Sequence, residues 1–402
     1  MLSATMSTAV SGLRAMQKSL DTYSKNIANA DTPGYRVKDM TYQDRINGGV
    51  NATVHTSFDA LTATRVSQLD GLSAETQAKS AALAHLDNSL STTGSSLSSV
   101  LDGFRQALGK AADNPADASL RDIVAARATS LASEATAGMS VITAQLGDLA
   151  KQQTQTRDAA LVKIDQLVSL NKDAQNYPDN LDIRDRQAQA GRELADLVGG
   201  EITFLPTGQT QFTVGGTLVV NGLQGKLPPP DRTGGTLGGL QAAQATVEGY
   251  RATLASTFSA FSGAMNATNA QGVDSAGAAG GDLFSFDGYA MKFVGTAGSL
   301  ALDSAGSING DNARKLLGLD SLGKDVSQLA AKAAVQTKAA DAEFSSRSGT
   351  LNYALEQQNA REGVDLDQQT VLMSNAQKLY EANAKVIQTQ SAMFGTLLNI
   401  LA

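Results

Sequence analysis

Three carboxylates, Asp179, Asp182 and Asp185, recur at every third position and form the densest acidic group in the middle of the chain. Two carboxyl groups held close together can divide the work of a general acid and a general base. Here Arg184 and Arg186 interleave with the acids, and the turn-forming run Tyr177-Pro178-Asp179-Asn180 precedes them. That pattern places them in the first turn of a helix, against the positive end of its dipole. Asp365 and Asp367 stand before the last helical stretch and receive the same reading. His55 and His85 are the only two histidines. They have neither the spacing of a helical zinc motif nor a serine elbow beside them. The run Gly234-Gly235-Thr236-Leu237-Gly238-Gly239 lacks the lysine of a phosphate-binding loop and follows no clear strand, so it reads as a flexible helix start. Asn51-Ala52-Thr53 and Asn266-Ala267-Thr268 fit the glycosylation triplet, which short polar sequences meet by chance. No residue is therefore assigned to catalysis, a cofactor or a metal, and the chain is not expected to be an enzyme.

Bulk composition narrows the classes further. The chain has 402 residues, with 32 Lys plus Arg against 39 Asp plus Glu and a net charge of −7. Such a balance provides neither an electrostatic footprint for nucleic acid nor a basic cluster for anionic lipid. Cysteine is absent, which excludes thiol catalysis and disulfide stapling and suits an exported protein. No segment reaches the roughly 18 apolar residues of a membrane span, so no membrane insertion is expected. The N-terminus does not read as a secretory signal: its first charge is Arg14, and Ser, Thr and Gly interrupt any apolar core.

The elements that could position anything are mostly helices. A first helix should stop near Ala30, before the breakers Asp31-Thr32-Pro33-Gly34. Residues 36–70 read as extended or irregular, and helical periodicity returns from about Ser73 to Asn114-Pro115. A long helix is expected from about Ala116 to Asn171, with Leu120, Ile123, Val124, Leu131, Leu161, Ile164 and Leu167 on its apolar side. A shorter helix follows, and then strands at Glu201–Leu205 and Gln211–Val220, interrupted by Gly215-Gly216. Leu227-Pro228-Pro229-Pro230 makes a stiff connector, helix resumes near Thr236, and short strands surround Phe284, Phe286, Phe293 and Leu302. A last helical run over 325–361 ends at Gly363. The expected fold class is mainly α: long terminal helices, slender helical bundles between them and a small β-rich insertion.

Both ends carry heptad stripes. Leu2, Met6, Ala9, Leu13, Met16, Leu20, Tyr23, Ile27 and Ala30 alternate at steps of four and three. At 1.5 Å per residue they line one face of a helix about 45 Å long. Leu372, Ala376, Leu379, Val386, Met393, Leu397 and Ile400 repeat the pattern, with Asn383 and Gln390 on the same seam. Polar residues in such a seam can specify register at some cost in stability. Seams of this kind bury their apolar side chains only against another helix, so the two ends are expected to pair with each other and with neighbouring copies of the chain.

Ser11-Gly12-Leu13, Leu20 and the run from Asn26 through Ile27, Asn29, Asp31, Pro33 and Gly34 to Tyr35 resemble the N-terminal signature of bacterial flagellar rod, hook and hook-associated proteins. Gly363–Asp367 and Tyr380–Thr389, including Val386 and Ile387, resemble the matching C-terminal signature. Asn114-Pro115-Ala116-Asp117, the Arg184-Asp185 segment leading into Leu197–Gly200, and the glycine run opening a helix are similar to the hook-associated proteins of the hook–filament junction. Asp31 stands where that signature commonly has asparagine, and only about forty residues separate Gly281–Phe284 from the returning helix, where longer relatives carry a large outer domain, so outer-surface functions do not transfer.

The resemblance implies a structural component of the flagellum that joins hook to filament by helical self-assembly. A hook or distal rod protein of the same superfamily is the nearest alternative; a secreted hydrolase with flagellar export ends has no residues to support it. Residues 1–36 and 364–402, the long terminal helices, would form an inner, discontinuous coiled coil. Residues 37–200, 231–280 and 320–363 would form a helical-bundle shell domain, and 201–230 with 281–319 the small β-rich part. Implied assembly contacts are Leu13, Leu20, Asn26, Ile27, Asn29, Pro33, Gly34, Tyr35, Leu379, Val386, Ile387, Met393 and Leu397. Implied partners are copies of itself, the hook protein, the next hook-associated protein or flagellin, and an export chaperone at the C-terminal helix. The protein would leave the cell through flagellar type III export with no signal cleaved. No cofactor is implied.

Overall fold

A computed structural model describes residues 2–46, 48–178 and 180–401. Asp179, one of the three spaced acids, lies outside the described residues, as do the side chains of Leu2 and Ile400. The chain divides into two compact units, the first comprising Met1–Leu72, Ala159–Gly234 and Ser348–Ala402, the second Ser73–Asp158 and Gly235–Arg347. The mainly α expectation holds. The described residues contain eight α-helices and three small antiparallel sheets.

In the first unit, α1 (Leu2–Ala28) packs against α8 (Leu366–Leu401). Ala15, Met16, Tyr23 and Ala376 form the buried centre of this pair, flanked by Leu20, Leu372, Met373 and Tyr380. Asp365 starts α8 by accepting hydrogen bonds from the Asp367 and Gln368 amides at 3.0 and 3.1 Å, as the sequence reading places it. A hairpin of β1 (Lys38–Asp44) and β2 (Val50–Thr56) lies on α1. The segment read as extended to residue 70 is extended only this far, because α2 (Ala60–Asp113) begins well before Ser73. Asp59 caps it, accepting from the Leu61 amide at 3.0 Å and the Thr62 hydroxyl at 2.6 Å. Gly71 resembles a breaker in sequence, yet it sits inside α2 because a Cβ there would lie 2.9 Å from the Ala195 carbonyl oxygen.

α3 (Ala118–Asn176) and α4 (Leu181–Val198) are separated by the expected turn. Then β3 (Glu201–Phe204), β4 (Thr210–Val214), β5 (Thr217–Asn221) and β6 (Gln224–Gly225) form one meander in that order. Fully buried Asn171 ties the meander to α3: its amide donates to the Thr210 and Gly222 carbonyls at 2.9 and 2.8 Å, and its oxygen accepts from the Thr210 amide at 2.8 Å.

The second unit is a bundle. Leu86, Leu97 and Leu108 of α2, Leu131, Met139 and Ile142 of α3, Val247, Leu254 and Phe258 of α5 (Gly235–Asn269), and Leu322 and Val326 of α7 (Ser321–Glu362) share one core. Ile123 and Leu161, expected on the apolar side of α3, are exposed. Ile123 sits one residue before buried Val124 and Leu161 one residue after buried Ala160, each about 100° around the helix from the covered face. The glycine run at 234–239 is a packing site rather than a flexible start: a Cβ on Gly239 would come within 2.1 Å of the Glu75 carbonyl oxygen.

β7 (Phe284–Phe286) and β8 (Met291–Phe293) pair as anticipated, whereas Leu302 is buried in a loop. Asn266 does not present a free triplet. Its amide donates to the Phe284 carbonyl at 2.8 Å and its oxygen accepts from the Leu283 and Phe284 amides at 2.8 and 3.0 Å. The seven-residue α6 (Asp311–Leu317) carries too few turns for periodicity to reveal it.

Candidate assembly interface

Polar contacts set the register of α1 against α8. Gln390 donates to the Thr5 hydroxyl, a Cβ on Gly12 would meet the Asn383 side chain at 2.9 Å, and Asn26 donates to Gln369 Oε1 at 2.8 Å. As partners on α1 climb, those on α8 fall, so the helices run antiparallel. Asn26 is fully buried, and its side chain links three elements. It donates to the Lys38 carbonyl at 2.9 Å and accepts from the Lys38 amide at 3.1 Å and the Tyr35 hydroxyl at 2.9 Å. Burial, followed by the charges of Asp182 and Asp185, pushes the Tyr35 phenol up to about 12, so it stays a donor at neutral pH.

Beside this latch lies a buried charge node that the sequence reading missed. Arg36 Nε bonds Glu362 at 2.5 Å, and Arg36 Nη1 reaches Asp185 at 3.2 Å. All three side chains are less than a tenth exposed. Lys38 pairs with Asp182, with Asp185 4.0 Å away. The second oxygen of Glu362 accepts the Asp59 amide at 2.9 Å, and the Val37 amide donates to the Glu362 carbonyl at 2.8 Å. Phe58 covers the Arg36 guanidinium at 4.7 Å. Asp185 is thus a buried partner of Arg36 and not a helix-end charge, although Asp182 does occupy the first turn of α4. Burial raises the Asp185 carboxyl above its ordinary value, against the opposing pull of Arg36 and Lys38. No local signal joins Arg36 to Glu362, which lie at opposite ends of the sequence.

The other anticipated contact residues divide by exposure. Leu13, Leu20, Ile27 and Ile387 are half-buried, while Pro33 and Gly34 are exposed. Asn29 bonds the Lys25 carbonyl at 2.9 Å, closing the end of α1. Leu379, Val386, Met393 and Leu397 keep between 44% and 53% of their surface in solvent. Two helices alone cannot enclose a seam, and a third surface is needed to cover these four. Such an arrangement can bind an apolar helix face. Among the described residues no cluster of His, Asp or Glu could hold a metal ion, and no helix is long and apolar enough to cross a membrane.

Comparisons with known proteins agree with this geometry. The sequence matches the flagella basal body rod protein family over residues 6–36, the flagellar hook-associated protein FlgK helical domain over 83–228, and the flagellar basal body rod FlgEFG protein C-terminal family over 358–400. No curated protein matches it. Among solved structures it resembles the flagellar hook junction protein FlgK from Burkholderia pseudomallei, with 22% identity and a TM-score of 0.52 over 55% of this chain. The match spans 46% of that protein, slightly under half its length.

Proposed function

We propose that the chain, which matches the FlgK helical-domain model and the flagellar rod models at its two ends, is a structural subunit joining hook to filament by helical self-assembly. The observation that carries this reading is the half-open seam of α8, where Leu379, Val386 and Met393 recur every seventh residue and remain about half exposed. In the assembled tube the terminal segments 1–36 and 364–402 form the inner coiled coil. The helical regions 37–200, 231–280 and 320–363, with the β-rich 201–230 and 281–319, form the shell. Contacts from Leu13, Leu20, Ile27, Ile387 and Leu397 complete the seam. Hook protein lies on one side, and the next hook-associated protein or flagellin on the other. Before export through the flagellar type III route, a chaperone covers the C-terminal helix, since an exposed seam invites premature association.

Val386→Asp tests this directly. A charge in the seam should abolish incorporation into flagella and motility while the far-ultraviolet circular dichroism of the purified chain is unchanged. Normal motility with the variant incorporated would refute the proposal.

A further inference from the structure

The hairpin and the hinge loop, residues 29–37 between α1 and β1, carry complementary features at different places along the α1–α8 pair. At the first place, the β1–β2 tip is held by hydrogen bonds from the Arg45 amide to the Gly49 carbonyl at 3.0 Å and from the Gly48 amide to the Arg45 carbonyl at 2.8 Å. Gly48 and Gly49 supply the positive φ angles, +81° and +101°, that this turn requires. The Val50 amide donates to Ser11 Oγ at 3.0 Å and fixes the tip beside the first half of α1. The turn presents Ile46, wholly exposed, next to Arg45, whose guanidinium has no carboxylate partner among the described residues.

At the second place, a cleft of about 640 Å³ opens between the hinge loop and the end of α7. Pro33, Leu355 and Val364 give it apolar walls, and Asp31 and Asp365 line it as well. Its two cations are already engaged, Arg36 by Glu362 and Asp185, and Arg192 by Asp70 at 3.2 Å. Among the described residues Asp31 has no partner, so the uncommitted charge of the cleft is negative and that of the tip positive.

We propose that the Arg45–Ile46 tip of one copy seats in the Asp31–Asp365 cleft of a second copy. The proposal rests on the assembly reading above and names the surface one part of it uses. Knob and cleft cannot meet within one chain, because the stretch of α1 from Ser11 toward Ala30 separates them by about 28 Å. A knob and a complementary cleft at different places on one molecule make a heterologous contact, which propagates helically and does not close a dimer. Ile46 provides apolar burial, and the Arg45–Asp31 pair selects the orientation.

The chain has no cysteine, so a reporter pair is clean. In full-length Ile46→Cys/Ala360→Cys the two thiols are too far apart for an intrachain bridge, which needs Cα atoms within about 7 Å. Oxidation during concentration-dependent association, followed by sedimentation velocity, should give a ladder of linked dimers and higher species. Arg45→Glu should weaken association about ten-fold, and Asp31→Arg added to it should restore association. Association without cross-links, or charge reversal without effect, would overturn the knob-and-cleft contact and leave the assembly reading standing. No association at any concentration would overturn both.

Discussion

Arg36 shows how one side chain can decide a junction. Its guanidinium holds Glu362 and Asp185 with almost no solvent contact, so removing it leaves two buried carboxylates without their cation. Breaking a buried pair from one side costs about 3–5 kcal/mol. Arg36→Ala should therefore lower the urea midpoint by that equivalent, and the loss should exceed that of Asp185→Asn. The pH dependence of Asp185 has a definite sign. Its folded carboxyl value is raised above 3.8, so the native state holds the proton more tightly than the unfolded chain. Its contribution is fully present below the ordinary value and is lost as pH climbs through the raised one. Subtracting the pH–stability curve of Asp185→Asn from that of the parent should leave a difference that is largest in acid and shrinks with rising pH. At the same scale, the capping of α8 by Asp365 and the first-turn position of Asp182 in α4 were legible, since both are local. The burial of Asp185 was not, because Arg36 and Glu362 reach it from remote segments.

Among the elements, helix length and helix breaks were read more easily than helix starts. Asn114-Pro115 and Gly363 end α2 and α7 as their chemistry dictates, the latter with its amide bonded to the Asn359 carbonyl at 2.8 Å. The start of α2 was misread because Gly71 and a polar run weaken the periodicity, although the Asp59 cap and buried Ala63 and Val66 establish the helix. Glycine carried opposite meanings at different sites. Gly34 supplies a positive φ of +78° in the hinge, whereas Gly239 lets the backbones of α5 and α2 touch. Gly239→Ala should destabilise the chain by 1 kcal/mol or more, roughly the cost of overpacking, because the atom it meets is backbone and cannot rotate away. Gly249→Ala on the same helix meets nothing within 4 Å and should stabilise by about 0.4–1 kcal/mol. Thermal melts of the two variants check the contrast.

For the whole molecule, burial is uneven in a way that suits assembly. The bundle core of the second unit is closed, whereas α8 has no buried side chain among its described residues beyond Gln369 and Ala376, both in its first half. Local opening costs least where few apolar contacts are made. Hydrogen exchange on the free chain should show amides beyond Ala384 exchanging far faster than those of α3 around Met139. On assembly that difference should shrink, because the seam is then covered.

Heptad spacing, breakers and composition depend only on neighbours along the chain. From them followed the helix-rich architecture and the two amphipathic ends. Which remote residues meet depends on how the chain returns on itself. The antiparallel register of α1 on α8, the Asn26 latch, the Arg36 node and the placement of hairpin tip and cleft were therefore decided only in three dimensions. Pairing across hundreds of residues leaves no periodic trace, since its stabilisation comes from desolvation and geometry that local spacing does not encode.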